Sequence, residues 1–241
     1  EAYPEVREYW LDWVEQCIAA GVDGVDVRIS CHSSWTNTPD IYGFNKPVVD
    51  EYVRRYGVNP DTDSYDPRLL GELRGEFFDT FLRSAKNRLS AAGKILSVHT
   101  EMESFRPGAS QGRWRSRPGN IEFNWRGWLR SKIADETTLF SRAWDPDVTL
   151  ADSLVLEMLS EARDLGIPVH LSRQVGHGAM SRPDKLKYAY ESGWLSGYCF
   201  YETNSMYDRD TPIDAEGHLK FKSGLLEEIR DQVIALGLHG S

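Results

Sequence analysis

Apolar residues along the chain recur with two periods, one helical and one alternating, and the two periods follow each other several times. Helical spacing is predicted for residues 4–20, 46–56, 67–92, 124–134, 150–165, 184–192 and 221–236. Alternating or continuous apolar runs predict strands at residues 22–32, 94–101, 135–140, 167–173 and 195–202. Because helices and strands take turns, the chain is expected to form an α/β fold with a parallel sheet and right-handed crossovers.

The apolar stripes of two helices predict which faces are buried. The helix at 4–20 begins with Pro4, ends before Gly21 and presents the stripe Val6, Trp10, Val14, Cys17 and Ile18. The long helix at 67–92 presents Leu70, Leu73, Phe77, Phe81, Ala85 and Leu89. We expect both stripes to pack against the sheet or against neighbouring helices.

The first predicted strand is apolar on one side and polar on the other. Val25, Val27 and Ile29 share one parity, and successive side chains of a strand point to opposite faces. The other parity consists of Asp26, Arg28, Ser30 and His32. In a sheet covered on both sides, a charged pair on the polar parity is costly unless it is paired or functional. This parity is therefore the first candidate for a site.

Polar residues gather at the carboxyl ends of the other predicted strands as well. They are Ser97, His99 and Glu101 in the second strand, His170, Ser172 and Arg173 in the fourth, and Glu202 in the fifth. Long loops follow the same ends, including residues 102–120. Because sites of barrels and of open parallel sheets form at this edge, the sequence predicts a site there.

Composition excludes several classes of function. The 241 residues carry a net charge of −9, which disfavours binding to nucleic acid or to an anionic membrane. Cys17, Cys31 and Cys199 lie far apart, so neither a zinc finger nor a disulfide framework is indicated. No apolar run reaches the length of a membrane span. Because the chain starts at Glu1, its N-terminus is uninformative about targeting, and a periplasmic or secreted location is only a working expectation.

Aromatic residues are frequent outside the periodic segments. The chain has 8 Trp and 11 Tyr, and loop positions hold Trp35, Tyr42, Trp114, Trp144 and Tyr207. Core packing explains any one of them, whereas several together fit a cleft in which rings stack on sugars. A glycine-rich nucleotide-binding turn after the first strand and a phosphate-binding loop motif are both absent. Five strands leave two architectures, an open five-stranded sheet or the later part of an eight-stranded barrel.

Several segments carry a resemblance to a known family. Residues 5–11 (EVREYWL) and 21–28 (GVDGVDVR) resemble the VREYLLD…DVDGIHxD segment of family 10-like glycosyl hydrolases, which are TIM-barrel enzymes of polysaccharide-using bacteria. Residues 42–57 resemble planctomycete-type members, and residues 125–136 (WRGWLRSKIADE) and 197–202 (GYCFYE) resemble later strands of the barrel. The resemblance implies a single (β/α)₈-type domain over residues 1–241 that lacks the first βα units.

The resemblance also implies places for three carboxylates. It puts Asp26, Glu101 and Glu202 near the ends of strands four, five and eight. In that family the carboxylate usually stands two residues after Asp26, where this chain has Arg28. The order is swapped, which leaves Asp26 about 6–7 Å deeper along the strand as a buried partner and moves the chemistry toward Glu101.

Glycoside hydrolysis needs two carboxylates across the scissile bond. We expect Glu101 to act as general acid/base and Asp26 or Glu202 to supply the second carboxylate, on a carbohydrate substrate and without a cofactor. An Asp26–Arg28 ion pair that only orders the interior is the structural alternative. The expected substrate contacts are Arg28, His32, Trp35, His99, His170 and Tyr201.

Two further functions stay open from the residues. Asp26, His32, His99, Glu101 and His170 are types that bind Zn²⁺ or Mn²⁺, which would make a metal-dependent barrel hydrolase or isomerase. No HxH or HExxH spacing favours that reading. A barrel that binds carbohydrate without cleaving it is the third hypothesis. The sequence leaves the sugar, the linkage, the anomeric outcome and the oligomeric state open.

Overall fold

The structure is a computed structural model that describes residues 2–29, 43–100, 121–140, 146–174, 183–201, 207, 217, 224–235 and 237. Its helices are Pro4–Ala19 (α1), Lys46–Tyr56 (α2), Pro67–Ala91 (α3), Trp125–Arg130 (α4), Pro146–Leu150 (α5), Ser153–Asp164 (α6), Pro183–Glu191 (α7) and Leu225–Ala235 (α8). Its strands are Gly24–Val27 (β1), Ile95–Thr100 (β2), Glu136–Phe140 (β3), Val169–Gln174 (β4) and Gly197–Tyr201 (β5).

The five strands form a parallel sheet whose hydrogen-bonded order is the chain order, β1 to β5. In the β1–β2 pair, Asp26 lies opposite Ser97. In the β4–β5 pair, His170 lies opposite Gly197. The predicted α/β class with a parallel sheet is confirmed, whereas closure into a TIM barrel stays a prediction.

The chain divides into two compact units, and each is described by itself. The first comprises residues 1–137 with 165–167, and the second comprises residues 138–164 with 168–241. None of the helices described here is both long and apolar enough to cross a membrane. The expectation of a single domain over residues 1–241 stays a prediction.

Two predicted helix boundaries are wrong. The helix predicted to end at residue 134 ends at Arg130, because the chain turns there and Lys132 adopts a φ of 52°. The helix predicted to start at residue 150 starts at Ser153, and residues 146–150 form the separate helix α5. Asp152 separates them, because its Oδ1 accepts the backbone N–H of Leu154 at 2.9 Å and so caps α6.

Helix α3 is the central helix of the first unit. The side chain of Asp66 caps its N-terminus by accepting the backbone N–H of Arg68 at 2.8 Å. The buried residues are Leu70, Gly71, Leu73, Gly75, Phe78, Leu82, Ala85 and Leu89. The prediction placed Phe77 and Phe81 at the centre of this face, but Phe78 occupies it. Its ring contacts those of Phe123 and Trp128, with centroids 5.3 and 5.8 Å away.

The predicted stripe of α1 is only partly buried. Leu11 and Val14 are buried, whereas Val6 and Trp10 are 39% and 53% exposed. The helix therefore uses a narrower contact face than its apolar pattern predicts, and aromatic surface stays in solvent.

Two glycines of α3 fix the segment that leads into α4. The backbone N–H of Glu122 donates to the carbonyl of Gly71 at 3.0 Å. At Gly75 a Cβ atom would lie 2.0 Å from the carbonyl oxygen of Glu122, so this approach requires glycine. Glu122 therefore lies directly against α3, three residues before α4 begins at Trp125.

Asp135 ties the start of β3 to β2 and to α3. Its Oδ2 accepts the backbone N–H of Leu96 at 2.8 Å, and its own N–H donates to the Leu96 carbonyl at 2.9 Å. The ammonium group of Lys86 on α3 pairs with the other carboxylate oxygen. This half-buried carboxylate thus fixes where β2 and β3 meet.

A half-buried carboxylate of α3, that of Asp79, supports a first prediction. Trp128 is buried and donates its indole N–H to Oδ1 of Asp79 at 2.5 Å, and burial raises the pKa of Asp79 above 3.8. Because the folded state then holds the proton more tightly than the unfolded state, stability falls as the pH rises through the raised pKa. We expect the free energy of unfolding, measured in urea, to fall for wild type relative to Asp79→Asn as the pH rises through the raised pKa of Asp79.

The matched variant Asp79→Ala removes the acceptor altogether. It should be less stable than Asp79→Asn by ~1–3 kcal/mol, because the indole N–H of Trp128 is left unsatisfied. A stability difference between wild type and Asp79→Asn that stays constant with pH would contradict this assignment.

Candidate functional site

The candidate site of the first unit begins with a hydrogen bond between neighbouring strands. Asp26 of β1 and Ser97 of β2 are register partners, so their side chains lie on the same face of the sheet. The Ser97 hydroxyl donates to Oδ1 of Asp26 at 2.5 Å. Ser97 is buried and Asp26 is exposed. The bond therefore orients a carboxylate that solvent and a ligand can reach.

The opposite face of these strands is apolar and covered by helices. Val25 and Val27 are half-buried and line a cleft with Val14 of α1 and Phe78 of α3, and Asp26 and Arg28 border the same cleft. Leu96 and Val98 of β2 are fully buried. The register and the hydrogen bond from Ser97 therefore confirm that Asp26 and Ser97 share one face of the two strands.

His99 continues the polar face one pleat beyond Ser97. It is 3% exposed, so the sheet is covered at this level. Arg28, which directly follows the end of β1 at Val27, is exposed. The expectation that Asp26 is buried is wrong, because β1 is the outermost strand in the hydrogen-bonded order of the sheet.

Thr100 of β2 and Thr137 of β3 meet near the carboxyl end of β2. Neither was predicted as a site residue. Thr137 of β3 donates its hydroxyl to the carbonyl of Val98 at 2.7 Å, and its Oγ1 lies 3.2 Å from that of Thr100. Both side chains are buried. Thr100 directly precedes Glu101, so this contact fixes the backbone from which the predicted acid/base residue follows. Two threonines in a strand pattern give only a general β signal, which is why this contact was missed.

Several predicted site residues lie outside the described residues. They are the carboxylates Glu101 and Glu202, the predicted contacts His32 and Trp35, and the loop aromatics Tyr42, Trp114 and Trp144. Tyr201 is described only as the last backbone position of β5. The grouping of Asp26 with Glu101 and Glu202 therefore stays a prediction.

The second unit carries a separate polar pair of strands. His170 of β4 lies opposite Gly197 of β5, and Ser172 lies opposite Cys199. A Cβ atom at position 197 would lie 2.8 Å from Nδ1 of His170, so the imidazole occupies the space that the glycine leaves. Gly197 was not predicted as a site residue, although a glycine inside a strand pattern is the signal for such a close approach.

The described part of the chain holds no complete set of ligands for a metal ion. No group of three or more His, Cys, Asp or Glu side chains is arranged there to hold an ion. Since His32 and Glu101 of the metal hypothesis lie outside the described residues, that hypothesis stays a prediction.

A charged groove of about 440 Å³ lies on α2 and α3. Hydrogen bonds from Arg54 and Arg55 lower the pKa of Glu51 to about 2. Arg55 also donates to both carboxylate oxygens of Glu76 on α3, at 2.8 and 2.6 Å. These charges pair with one another and link the two helices, and no strand residue lines the groove, so we do not assign the site there.

Comparison with known proteins gives a likeness in structure but none in sequence. No family model matches the chain, and no curated protein matches it significantly. The chain is similar in structure to the PgaB (BpsB) glycoside hydrolase domain from Bordetella bronchiseptica, with a TM-score of 0.53 and 12% sequence identity. The match covers 85% of this chain and 59% of that chain, so the chain spans about three fifths of that domain. At this identity the likeness shows a shared fold.

The space at Gly197 supports a second prediction. In Gly197→Ala the new methyl group displaces the His170 imidazole, which should cost ~1–3 kcal/mol of stability, the usual range for overpacking. The His170 ring signals in a ¹H–¹³C NMR spectrum should shift as well. Cys199→Ser, two residues along the same strand at an exposed position, is the matched control. Unchanged His170 signals in Gly197→Ala would show that the glycine does not position the imidazole.

Proposed function

We propose that the chain is a glycoside hydrolase with a TIM-barrel-type fold, related to the family 10-like glycosyl hydrolases, that cleaves O-glycosidic bonds in a poly- or oligosaccharide. One observation carries the proposal. The accessible carboxylate of Asp26 is oriented by Ser97 on the polar face of β1 and β2, and β2 leads directly to Glu101. Sites of parallel α/β folds form at these strand ends.

The proposed roles follow from what glycosidic cleavage requires. One carboxylic acid protonates the leaving oxygen, and a second carboxylate either attacks the sugar or activates water. Glu101 takes the role of general acid/base. Asp26 or Glu202 supplies the second carboxylate, and the exposure of Asp26 together with its hydrogen bond from Ser97 favours Asp26.

The remaining predicted residues serve substrate binding in this proposal. Arg28 is exposed directly after the strand that carries Asp26, which suits a contact to sugar hydroxyls. His99 is almost completely buried. In this proposal it therefore supports the neighbouring side chains of the polar face. The other proposed contacts are His32, Trp35, His170 and Tyr201.

The fold is consistent with this chemistry. The likeness to a glycoside hydrolase domain supports a scaffold of the same kind, and the resemblance of residues 21–28 to family 10-like enzymes supports a site on β1. Arg28 at the position where that family usually has a carboxylate is a departure. This departure supports the assignment of the proton transfer to Glu101.

The proposal predicts a separation of binding from turnover. Glu101→Gln should lower turnover of aryl glycosides about 10²–10⁴-fold, the range for loss of a general acid/base, while sugar binding measured by calorimetry stays intact. Asp26→Asn should also lower turnover. Glu122→Gln, an exposed carboxylate outside the polar face, is the matched control and should retain activity.

Two results would contradict the proposal. Loss of wild-type activity to a chelator, with recovery on adding Zn²⁺ or Mn²⁺, would favour a metal-dependent hydrolase or isomerase. Sugar binding without turnover over a broad glycan panel would leave a carbohydrate-binding barrel.

A further inference from the structure

Side-chain hydrogen bonds from β3 hold the last residues of β2. The Thr137 hydroxyl donates to the carbonyl of Val98 at 2.7 Å, and its oxygen lies 3.2 Å from that of Thr100. A threonine hydroxyl carries one proton, which Thr137 gives to Val98, so Thr100 is the donor in its bond to Thr137. This hydroxyl bridge therefore starts at Thr100 and returns to β2 two residues earlier, which restrains the backbone around His99.

The hydroxyl bridge does more than hold two strands together. Thr137 and Thr100 are 1% and 3% exposed. A buried hydroxyl is unfavourable without a partner, and replacing both members of a hydrogen bond by apolar groups of the same shape is often nearly neutral. Two valines would therefore fill the same space at similar stability. What the hydroxyls add is direction, because a hydrogen bond restricts both distance and angle.

The restrained segment ends where the proposed chemistry begins. Glu101, which lies outside the described residues, is bonded directly to Thr100. The same strand carries Ser97, whose hydroxyl orients the Asp26 carboxylate. In the proposed mechanism both carboxylates therefore depend on the backbone of β2. A displacement of about 1 Å caused far from the reacting atoms can lower a rate about 10²-fold.

We infer that Thr137 is a positioning residue for the proposed glycosidase reaction. It acts through Thr100, by fixing the direction in which the backbone leaves β2 toward Glu101. Its own side chain is buried and satisfied within the sheet, so it makes no contact with substrate. The inference rests on the proposed role of Glu101 as general acid/base. Loss of the hydroxyl bridge should lower kcat and leave KM unchanged, because the sugar-binding groups stay in place.

Matched variants, assayed on an aryl glycoside that the wild-type protein cleaves, separate positioning from packing. The double variant Thr100→Val/Thr137→Val keeps shape and burial, so its free energy of unfolding in urea should stay close to that of wild type. Its kcat should fall about 10- to 10²-fold at unchanged KM. Thr137→Ser retains the hydroxyl and should keep most of the wild-type kcat. Thr149→Val, which changes a buried threonine on α5, is the control and should leave kcat unchanged.

Amide hydrogen exchange gives a readout that is independent of activity. In the double variant the amides of His99 and Thr100 should exchange faster than in wild type, because the end of β2 opens more readily. The amide of Leu96, which donates to Asp135, is the internal reference and should stay unchanged. Wild-type exchange at His99 and Thr100 in the double variant would overturn the inference.

The kinetic outcomes distinguish this inference from the proposed function. If the double variant keeps the wild-type kcat while Glu101→Gln loses turnover, the positioning role of Thr137 is overturned and the proposed function stands. If Glu101→Gln keeps the wild-type turnover, the proposed function is overturned, and the inference with it. A fall in kcat that Thr137→Ser shares with the double variant would also overturn the inference, since the hydroxyl would then not be the group that matters.

Discussion

The parallel pairing of β1 with β2 determines which side chains of the first unit share a face. Gly24 permits it, because a Cβ atom there would lie 2.3 Å from Cγ1 and 2.8 Å from the carbonyl oxygen of Ile95. A shift of one residue in this register would move every side chain of β1 to the opposite face. In the observed register Asp26 lies opposite Ser97 and accepts the hydrogen bond from its hydroxyl.

The same short strand thus has two environments with different consequences. Toward β2 it is locked by backbone pairing and by the hydrogen bond from Ser97, which gives the carboxylate of Asp26 a defined orientation. On the side of α1 it lines a cleft together with the exposed rings of Trp10 and Trp13.

Local sequence signals predicted much of the fold. Glycines and prolines placed the ends of α1, α2 and α3 to within one residue, and alternation placed Asp26, Ser97 and His99 on one face. The burial of α1 could not be predicted in this way, because an apolar stripe shows only that a face can be buried. What lies against that face is decided by tertiary contacts, and Trp10 is largely without them.

Strand periodicity predicted only part of the candidate site. Periodicity identifies the residues of one face, but the space for His170 depends on the register that sets it against Gly197, and register is a property of two segments far apart in sequence. Likewise, Thr100 and Thr137 meet only because Asp135 fixes β3 on β2. The mutual placement of Asp26, Glu101 and Glu202 depends on long-range geometry of the same kind.

A crystal structure of Glu101→Gln with an oligosaccharide that the wild-type protein cleaves tests the central claim most directly. The account predicts a sugar bound on the polar face of β1 and β2, with the Asp26 carboxylate and the side chain of residue 101 on either side of one glycosidic bond. A sugar bound only in the groove between α2 and α3, or with no contact to Asp26, would contradict it.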